Sequence, residues 1–132
     1  MHEAVVRLVL WLLAAYHLAM GGIALLLPSA APRMVRSLYG AELPAGDAVR
    51  YMISMIGALA LAIAVVATSA ALHPAGHRAG IIALLVLQGG RAICRIRDRR
   101  LLATSLGVTP RSNMAATAVL AAEGAVLASW LV

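Results

Sequence analysis

The chain has 132 residues, the length of one domain, and 63% of them are hydrophobic. A soluble core of this size cannot cover so large an apolar share, so the composition argues against a soluble protein and predicts a polytopic membrane protein. All 11 basic residues are arginine, and the formal net charge is +6. The arginines lie between the apolar runs, where the positive-inside rule explains them, and we therefore expect no nucleic-acid partner.

The first predicted span covers residues 8–27 and ends at Pro28. Its apolar core is longer than the roughly 7–15 residues of a signal-peptide core, so we expect a retained transmembrane helix. The polar connection 28–49 follows. Within it, Pro32 to Tyr39 places apolar side chains at helical spacing opposite Arg33 and Arg36, which predicts a short interfacial helix.

The second predicted span, residues 51–72, carries small residues at four-residue steps, a pattern that lets helix backbones approach closely in lipid. The two lines are Ser54, Ala58 and Ala62, and Ala60 and Ala64, with Gly57 nearby. A five-residue loop leads to the third span, 79–96, so spans two and three are expected to be antiparallel neighbours. A predicted turn region around Arg95 to Arg100 precedes the fourth span, 114–131, with Asn113 as a candidate helix cap.

These elements predict an all-α fold: one membrane domain over residues 1–132, arranged as an up-down-up-down four-helix bundle. Nine arginines lie on the side of the first and third loops, and two lie on the other side. The nine are Arg33, Arg36, Arg50, Arg91, Arg95, Arg97, Arg99, Arg100 and Arg111; the two are Arg7 and Arg78. This bias predicts that both termini lie outside. The abundance of Ala and Leu suggests a GC-rich bacterial genome and hence the bacterial inner membrane.

The fourth span carries one carboxylate, Glu123, near its middle. An ionisable group at that depth costs about 2.5–3.5 kcal/mol on insertion scales and needs a polar partner. At 1.5 Å per residue, the midpoint of the first span falls near Tyr16 and His17, and that of the third near Gln88 with Arg91 one turn away. We therefore predict a polar layer of ligand-binding or proton-relay residues in which Glu123 pairs with Arg91 or hydrogen-bonds to Gln88, His17 or Tyr16.

Each of these residues also has a purely structural explanation. A Glu–Arg pair holds helices in register, and a buried pair is weak evidence for net stability. Arg91 has a stem long enough to reach the interface without Glu123. The shared depth favours function, because ionisable residues inside a membrane mark ligand or ion pathways.

Other candidates involve the membrane surface or a metal. Arg95, Arg97, Arg99 and Arg100 are candidate contacts for anionic lipid headgroups. His73 and His77 are spaced for a metal on a helix, but Pro74 and Gly76 argue against a helix there, so we expect no metal site. The single cysteine, Cys94, excludes an internal disulfide.

Several short segments resemble small four-helix membrane proteins of the DoxX-like kind and their uncharacterised relatives. They are GGIALLLP at the end of the first span, Leu38-Tyr39-Gly40, the Gly/Ala-rich second span, and GGRAICR at the end of the third. The resemblance implies a four-helix bundle and association with quinone-linked redox complexes. It implies no catalytic residue.

Three functions follow from these expectations. The favoured one is a non-catalytic membrane protein that binds an amphiphile (a lipid, a quinone or a pigment-like molecule) or serves as an accessory subunit of a larger membrane complex. Its partners would be membrane lipids and other membrane subunits, or further copies of the chain. The alternatives are a proton-coupled small transporter using Glu123, and a membrane-embedded isomerase or cyclase in which Glu123 works with His17 or Tyr16.

Overall fold

The computed structural model describes residues 2–132, and every regular element in that range is helical. The elements are α1 (His2–Leu26), α2 (Ala31–Tyr39), α3 (Asp47–Leu72), a 3₁₀ turn (Pro74–His77), α4 (Arg78–Arg97), α5 (Arg99–Leu106) and α6 (Pro110–Leu131). The described residues contain no β-strand, so the all-α prediction is confirmed. Within them, α1, α3, α4 with the preceding turn, and α6 are long and apolar enough to cross a membrane, judged by length and composition.

The long helices extend beyond the predicted apolar spans because their polar flanks continue the helical path. In the first turns of α1, Glu3 and Arg7 form an ion pair of 2.9 Å at i,i+4 spacing. At the start of α6, Thr109 is the N-cap and its hydroxyl accepts a hydrogen bond from the Ser112 backbone N–H at 3.2 Å. The prediction that Asn113 caps this helix is therefore wrong, because Pro110 already occupies the first helical position.

Of the two short helices, α2 agrees with the sequence prediction and α5 does not. The helix predicted at Pro32 to Tyr39 is confirmed as α2, and Gly40 ends it with a left-handed φ of 63°. The predicted turn region at Arg95 to Arg100 is wrong, since α4 continues to Arg97 and α5 begins at Arg99. Arginine is a good helix former and this run contains no Gly or Pro, so the helical path breaks at Asp98 alone.

The four long helices form two closely packed pairs, α1 with α3 and α4 with α6. Smaller contacts of α1 with α6 and of α3 with α4 join the pairs. At the end of the bundle that holds both termini, which we call the terminal end, His2 bonds to Ser129 at 2.9 Å and stacks on Trp130. There too, Arg78 donates to the Leu131 carbonyl at 2.7 Å. The start of α1 and the start of α4 thus lie beside the end of α6, so both helices run antiparallel to it.

The apolar core lies in the terminal half of the bundle. Val6 and Leu10 of α1, Ile81 of α4 and Leu127 of α6 are all fully buried there. Most of the side chains that α3 adds to this cluster are alanines. The opposite end, which carries the predicted nine arginines and which we call the arginine end, contributes little to this cluster.

The closest backbone approach joins α1 to α3 at Gly21 and Gly57, both buried. A Cβ on Gly21 would lie 2.8 Å from the Gly57 carbonyl oxygen and 2.9 Å from the Leu61 backbone nitrogen. Of the two predicted lines of small residues, the one with Ala58 and Ala62 is exposed on the outer face of α3, whereas the other ends at Ala64, which is buried. The close approach itself is made at the two glycines.

We expect Gly21→Ala to lower the free energy of unfolding by about 1–3 kcal/mol, because the added methyl group overlaps backbone atoms of α3. Gly22→Ala is the matched control, since a Cβ there meets no atom within 4 Å. Thermal unfolding followed by circular dichroism in detergent measures both variants. Equal melting temperatures for the two would contradict the close approach.

Candidate functional site

A cavity of about 320 Å³ lies between α1, α2, α4 and α6. Its polar lining residues are Tyr16, Tyr39, Arg91, Arg95, Ser112 and Glu123. The remaining wall is apolar and includes Leu13, Val119 and Leu120. The cavity thus joins a charged region to an apolar surface.

The Gln88 amide connects the two kinds of charge at this cavity. Gln88 is fully buried, and its Nε2 donates a hydrogen bond to Oε2 of Glu123. Its Oε1 accepts a hydrogen bond from Nη1 of Arg91 at 3.2 Å. A buried amide needs hydrogen-bond partners for both its N–H and its oxygen. Here the N–H donates to a carboxylate, and the oxygen accepts from a guanidinium.

Arg91 and Glu123 do not form a direct ion pair. Glu123 was predicted to contact Arg91 or Gln88 on α4, and in the structure it contacts Gln88. Among residues 2–132, no cation lies within 4.0 Å of the Glu123 carboxylate. The Arg91 guanidinium carbon instead lies 6.0 Å from the centre of the Tyr16 ring. This distance is at the limit of a cation–π contact, so Arg91 is held mainly by Gln88.

Arg95 is half-buried and forms a reciprocal pair with Asn113 of α6. Its Nη1 donates to Asn113 Oδ1 at 2.9 Å, and Asn113 Nδ2 donates to the Arg95 carbonyl oxygen at 3.1 Å. The Arg95 guanidinium also lies 5.5 Å from the centre of the Tyr39 ring. It therefore faces the inside of the bundle, unlike the other arginines grouped with it as headgroup contacts.

His17 and Tyr16 occupy different environments. His17 is buried, and its Nδ1 pairs with the Leu13 carbonyl oxygen at 2.8 Å in its own helix. It shares the buried side of α1 with Gly21 and is absent from the residues that line the cavity. Tyr16 lines the cavity and meets the His17 ring edge-on at 4.9 Å. Only Tyr16 of this pair therefore lies where a bound molecule would touch it.

Arg97, Arg99 and Arg100 are exposed at the arginine end. Arg97 donates two hydrogen bonds to the Asp98 carboxylate, at 2.8 and 2.9 Å, and these lower the pKa of Asp98 below its ordinary value. Arg99 and Arg100 line a separate groove of about 720 Å³ between α4, α5 and α6. Their place on the surface is that expected of headgroup contacts.

The remaining candidates lie outside the cavity. His73 precedes the 3₁₀ turn and His77 is its last residue; their rings are stacked with centres 6.5 Å apart. No group of three or more His, Cys, Asp or Glu side chains comes together within residues 2–132 in a way that would hold a metal ion. Cys94 is exposed. Met20, Met34 and Met52 border an entirely apolar cavity of about 430 Å³ between α1, α2 and α3.

Sequence analysis missed three residues of the site. Tyr39 and Ser112 enter the cavity lining because α2 folds back onto α6, where the Ser112 hydroxyl donates to the Tyr39 carbonyl oxygen at 3.0 Å. Asn113 binds Arg95 across two helices. The spacing of residues within one segment carries no signal for such contacts between segments.

Comparisons with known proteins give no match for this chain, whether with family models, curated proteins or solved structures.

We expect Gln88→Leu to lower the free energy of unfolding by about 1–3 kcal/mol, because it leaves partly buried Glu123 and Arg91 atoms without their hydrogen-bond partner. A double-mutant cycle of Gln88→Leu with Glu123→Leu, which removes the accepting oxygens, should give a coupling energy of at least about 0.5 kcal/mol when measured by chemical unfolding in detergent. Gln88→Leu with Ser129→Ala is the control cycle and should be additive, since Ser129 lies at the terminal end. Additivity in both cycles would refute the coupling of Gln88 to Glu123.

Proposed function

We propose that this chain is an integral membrane protein, an up-down-up-down four-helix bundle, whose cavity between α1, α2, α4 and α6 binds an amphiphile. The bound molecule is a lipid, a quinone or a pigment-like molecule with a polar head and an apolar body. The protein acts without catalysis, as a ligand-holding module or an accessory subunit of a larger membrane complex.

The outer surface of the bundle supports placement in a membrane. Large apolar side chains are exposed on all four long helices, among them Leu12 (58%), Leu59 (63%), Val86 (68%) and Met114 (70%). Water-soluble monomers rarely expose apolar patches of this extent. A surrounding bilayer accounts for them, and the positive-inside rule then places the arginine end in the cytoplasm and both termini outside.

The observation that carries the amphiphile proposal is the composition of the cavity wall. Arg91, Arg95 and Glu123 lie at the same cavity as Leu13 and Leu120. Ligand sites in proteins are mostly apolar, with a few polar groups that fix orientation, and they start at about 300 Å³. A molecule that is polar at one end and apolar at the other matches this wall.

The accessory role and the relationship to DoxX-like proteins are part of the same proposal. The line of half-buried Ser54 and exposed Ala58 and Ala62 gives α3 an outer face on which another transmembrane helix can pack closely. The resemblance rests on short segments of the sequence, among them GGIALLLP, and implies association with quinone-linked redox complexes. Association with a quinone-linked complex would account for both a docking face and a cavity for an apolar molecule.

The transporter and enzyme alternatives use the same cavity. Glu123 lines it and is the group that would exchange protons during transport. An acid–base enzyme would use Glu123 with Tyr16, since His17 lies outside the cavity lining. Mass spectrometry of what co-purifies distinguishes the three functions: an unaltered amphiphile supports our proposal, a chemically converted one supports the enzyme, and a water-soluble substrate supports the transporter.

The topology is tested by cysteine labelling in a Cys94→Ser background, which should itself remain unlabelled because it contains no cysteine. A membrane-impermeant maleimide should label Ala75→Cys, in the 3₁₀ turn, in intact cells. It should label Ser105→Cys, in α5, only after permeabilisation. The reverse pattern would contradict an external location of the termini.

The ligand site is tested by filling the cavity. Ala116→Trp places a large ring among the lining residues, so the variant should lose most of the amphiphile that co-purifies with the wild-type protein. Ala125→Trp is the matched control, because Ala125 is exposed on the same helix and does not line the cavity. Lipid extraction and mass spectrometry measure the bound molecule. Equal retention by both variants would show that it binds elsewhere.

A further inference from the structure

We infer that the amphiphile bound in this cavity carries an anionic head group, a carboxylate or a phosphate, held between Arg91 and Arg95. This inference rests on the proposed function and specifies its ligand class. It is carried by two half-buried guanidinium groups that line one cavity with most of their hydrogen-bond donors unused.

The donors of the two arginines greatly outnumber the acceptors that meet them. A guanidinium has five N–H donors. Within residues 2–132, each of these two side chains donates one hydrogen bond, Arg91 to Gln88 and Arg95 to Asn113. Both acceptors are neutral amide oxygens, and neither arginine has a carboxylate within 4.0 Å in the described part of the chain. The donors left over match the oxygens of a carboxylate or a phosphate, the groups that arginine binds bidentately.

The charge of the cavity also favours an anion. Arg91 and Arg95 lie one helical turn apart on α4, and Glu123 is the single carboxylate in the lining. With Glu123 ionised, the lining has a net charge of +1 and its carboxylate is already engaged by Gln88. Two like charges in a medium of low dielectric repel each other, and an anion placed between them removes that cost.

The surrounding groups complete a head-group site with an apolar exit. Tyr16 and Tyr39 line the cavity beside the arginines, and no hydrogen bond of either phenol hydroxyl occurs within residues 2–132. Each phenol can donate one more bond to an anion. Towards Leu13 and Leu120 the wall becomes apolar, which suits the first carbons of a chain. At about 320 Å³ the cavity holds a small head and part of one chain rather than a whole two-chain lipid.

The test compares three ligands that share one chain and differ in the head. The purified full-length protein in a non-ionic detergent is titrated with oleate, oleyl phosphate or oleyl alcohol, and native mass spectrometry counts the bound molecules. We expect the two anions to bind at least about tenfold more tightly than the alcohol, since a charge-assisted pair replaces a neutral contact. Inorganic phosphate at the same concentration should not displace oleate, because it lacks the chain.

Two pairs of variants with equal charge loss locate the binding site. The double variant with Arg91→Gln and Arg95→Gln should no longer bind the two anions more tightly than the alcohol. Arg99→Gln with Arg100→Gln should preserve it, since these exposed arginines lie outside the cavity lining. Arg91→Lys with Arg95→Lys keeps both charges and should retain part of the preference, which covers the case in which the glutamine pair does not fold.

The possible outcomes distinguish a failure of this inference from a failure of the proposed function on which it rests. Oleyl alcohol bound as tightly as oleate, with Ala116→Trp blocking both, overturns the anionic head and leaves the amphiphile site. Loss of the preference only in the Arg99 and Arg100 pair overturns the assignment to this cavity. Displacement of oleate by inorganic phosphate overturns the requirement for an amphiphile. No binding of any of the three ligands overturns the proposed function together with the inference.

Discussion

The hydrogen bonds of the Gln88 amide are the interaction on which the interior of this bundle depends. An amide in an apolar interior is stable only if its donor and its acceptor both find partners. Gln88 meets this requirement with Glu123 on α6 and with Arg91 on its own helix, one turn closer to the arginine end. The rotation of α4 relative to α6 is thereby fixed, and the Arg91 side chain is directed along the cavity instead of onto the carboxylate. A direct ion pair would have engaged donors of Arg91 that are now free to bind a polar head.

The two halves of the bundle are packed on different principles. In the terminal half, large side chains such as Leu10 and Ile81 pack against the alanines of α3 and form the apolar core. Further along, the α1–α3 pair closes to backbone contact at Gly21 and Gly57. On its other side, α1 contributes Leu13 and Tyr16 to the wall of the cavity. Tight packing on one side of α1 and the cavity on its other side are therefore parts of one arrangement.

Counting residues by depth was sufficient to predict that Tyr16, Gln88, Arg91 and Glu123 lie at one level, because the rise of a helix is constant. It was not sufficient for His17, whose backbone contact with Leu13 turns it away from the cavity lining. The roles of Asn113 and Tyr39 depend on how α2 folds back and how α4 meets α6, which are contacts between segments. α5 was missed for a different reason: a run of charged residues was interpreted as a turn, although arginine favours helix.

The fold-back of α2 has a consequence for how a molecule reaches the cavity. The Ser112 hydroxyl ties the end of α2 to α6, and the Glu42 backbone N–H ties the following loop to the Leu106 carbonyl oxygen at 2.8 Å. Ala41, between these two ties, is buried. The first and third connections thus form one joined cover over the arginine end, and neither can swing aside alone. With that route closed by two hydrogen bonds, the more accessible side of the cavity is the one lined by the exposed Val119, and in the membrane placement that we propose this side faces the lipid.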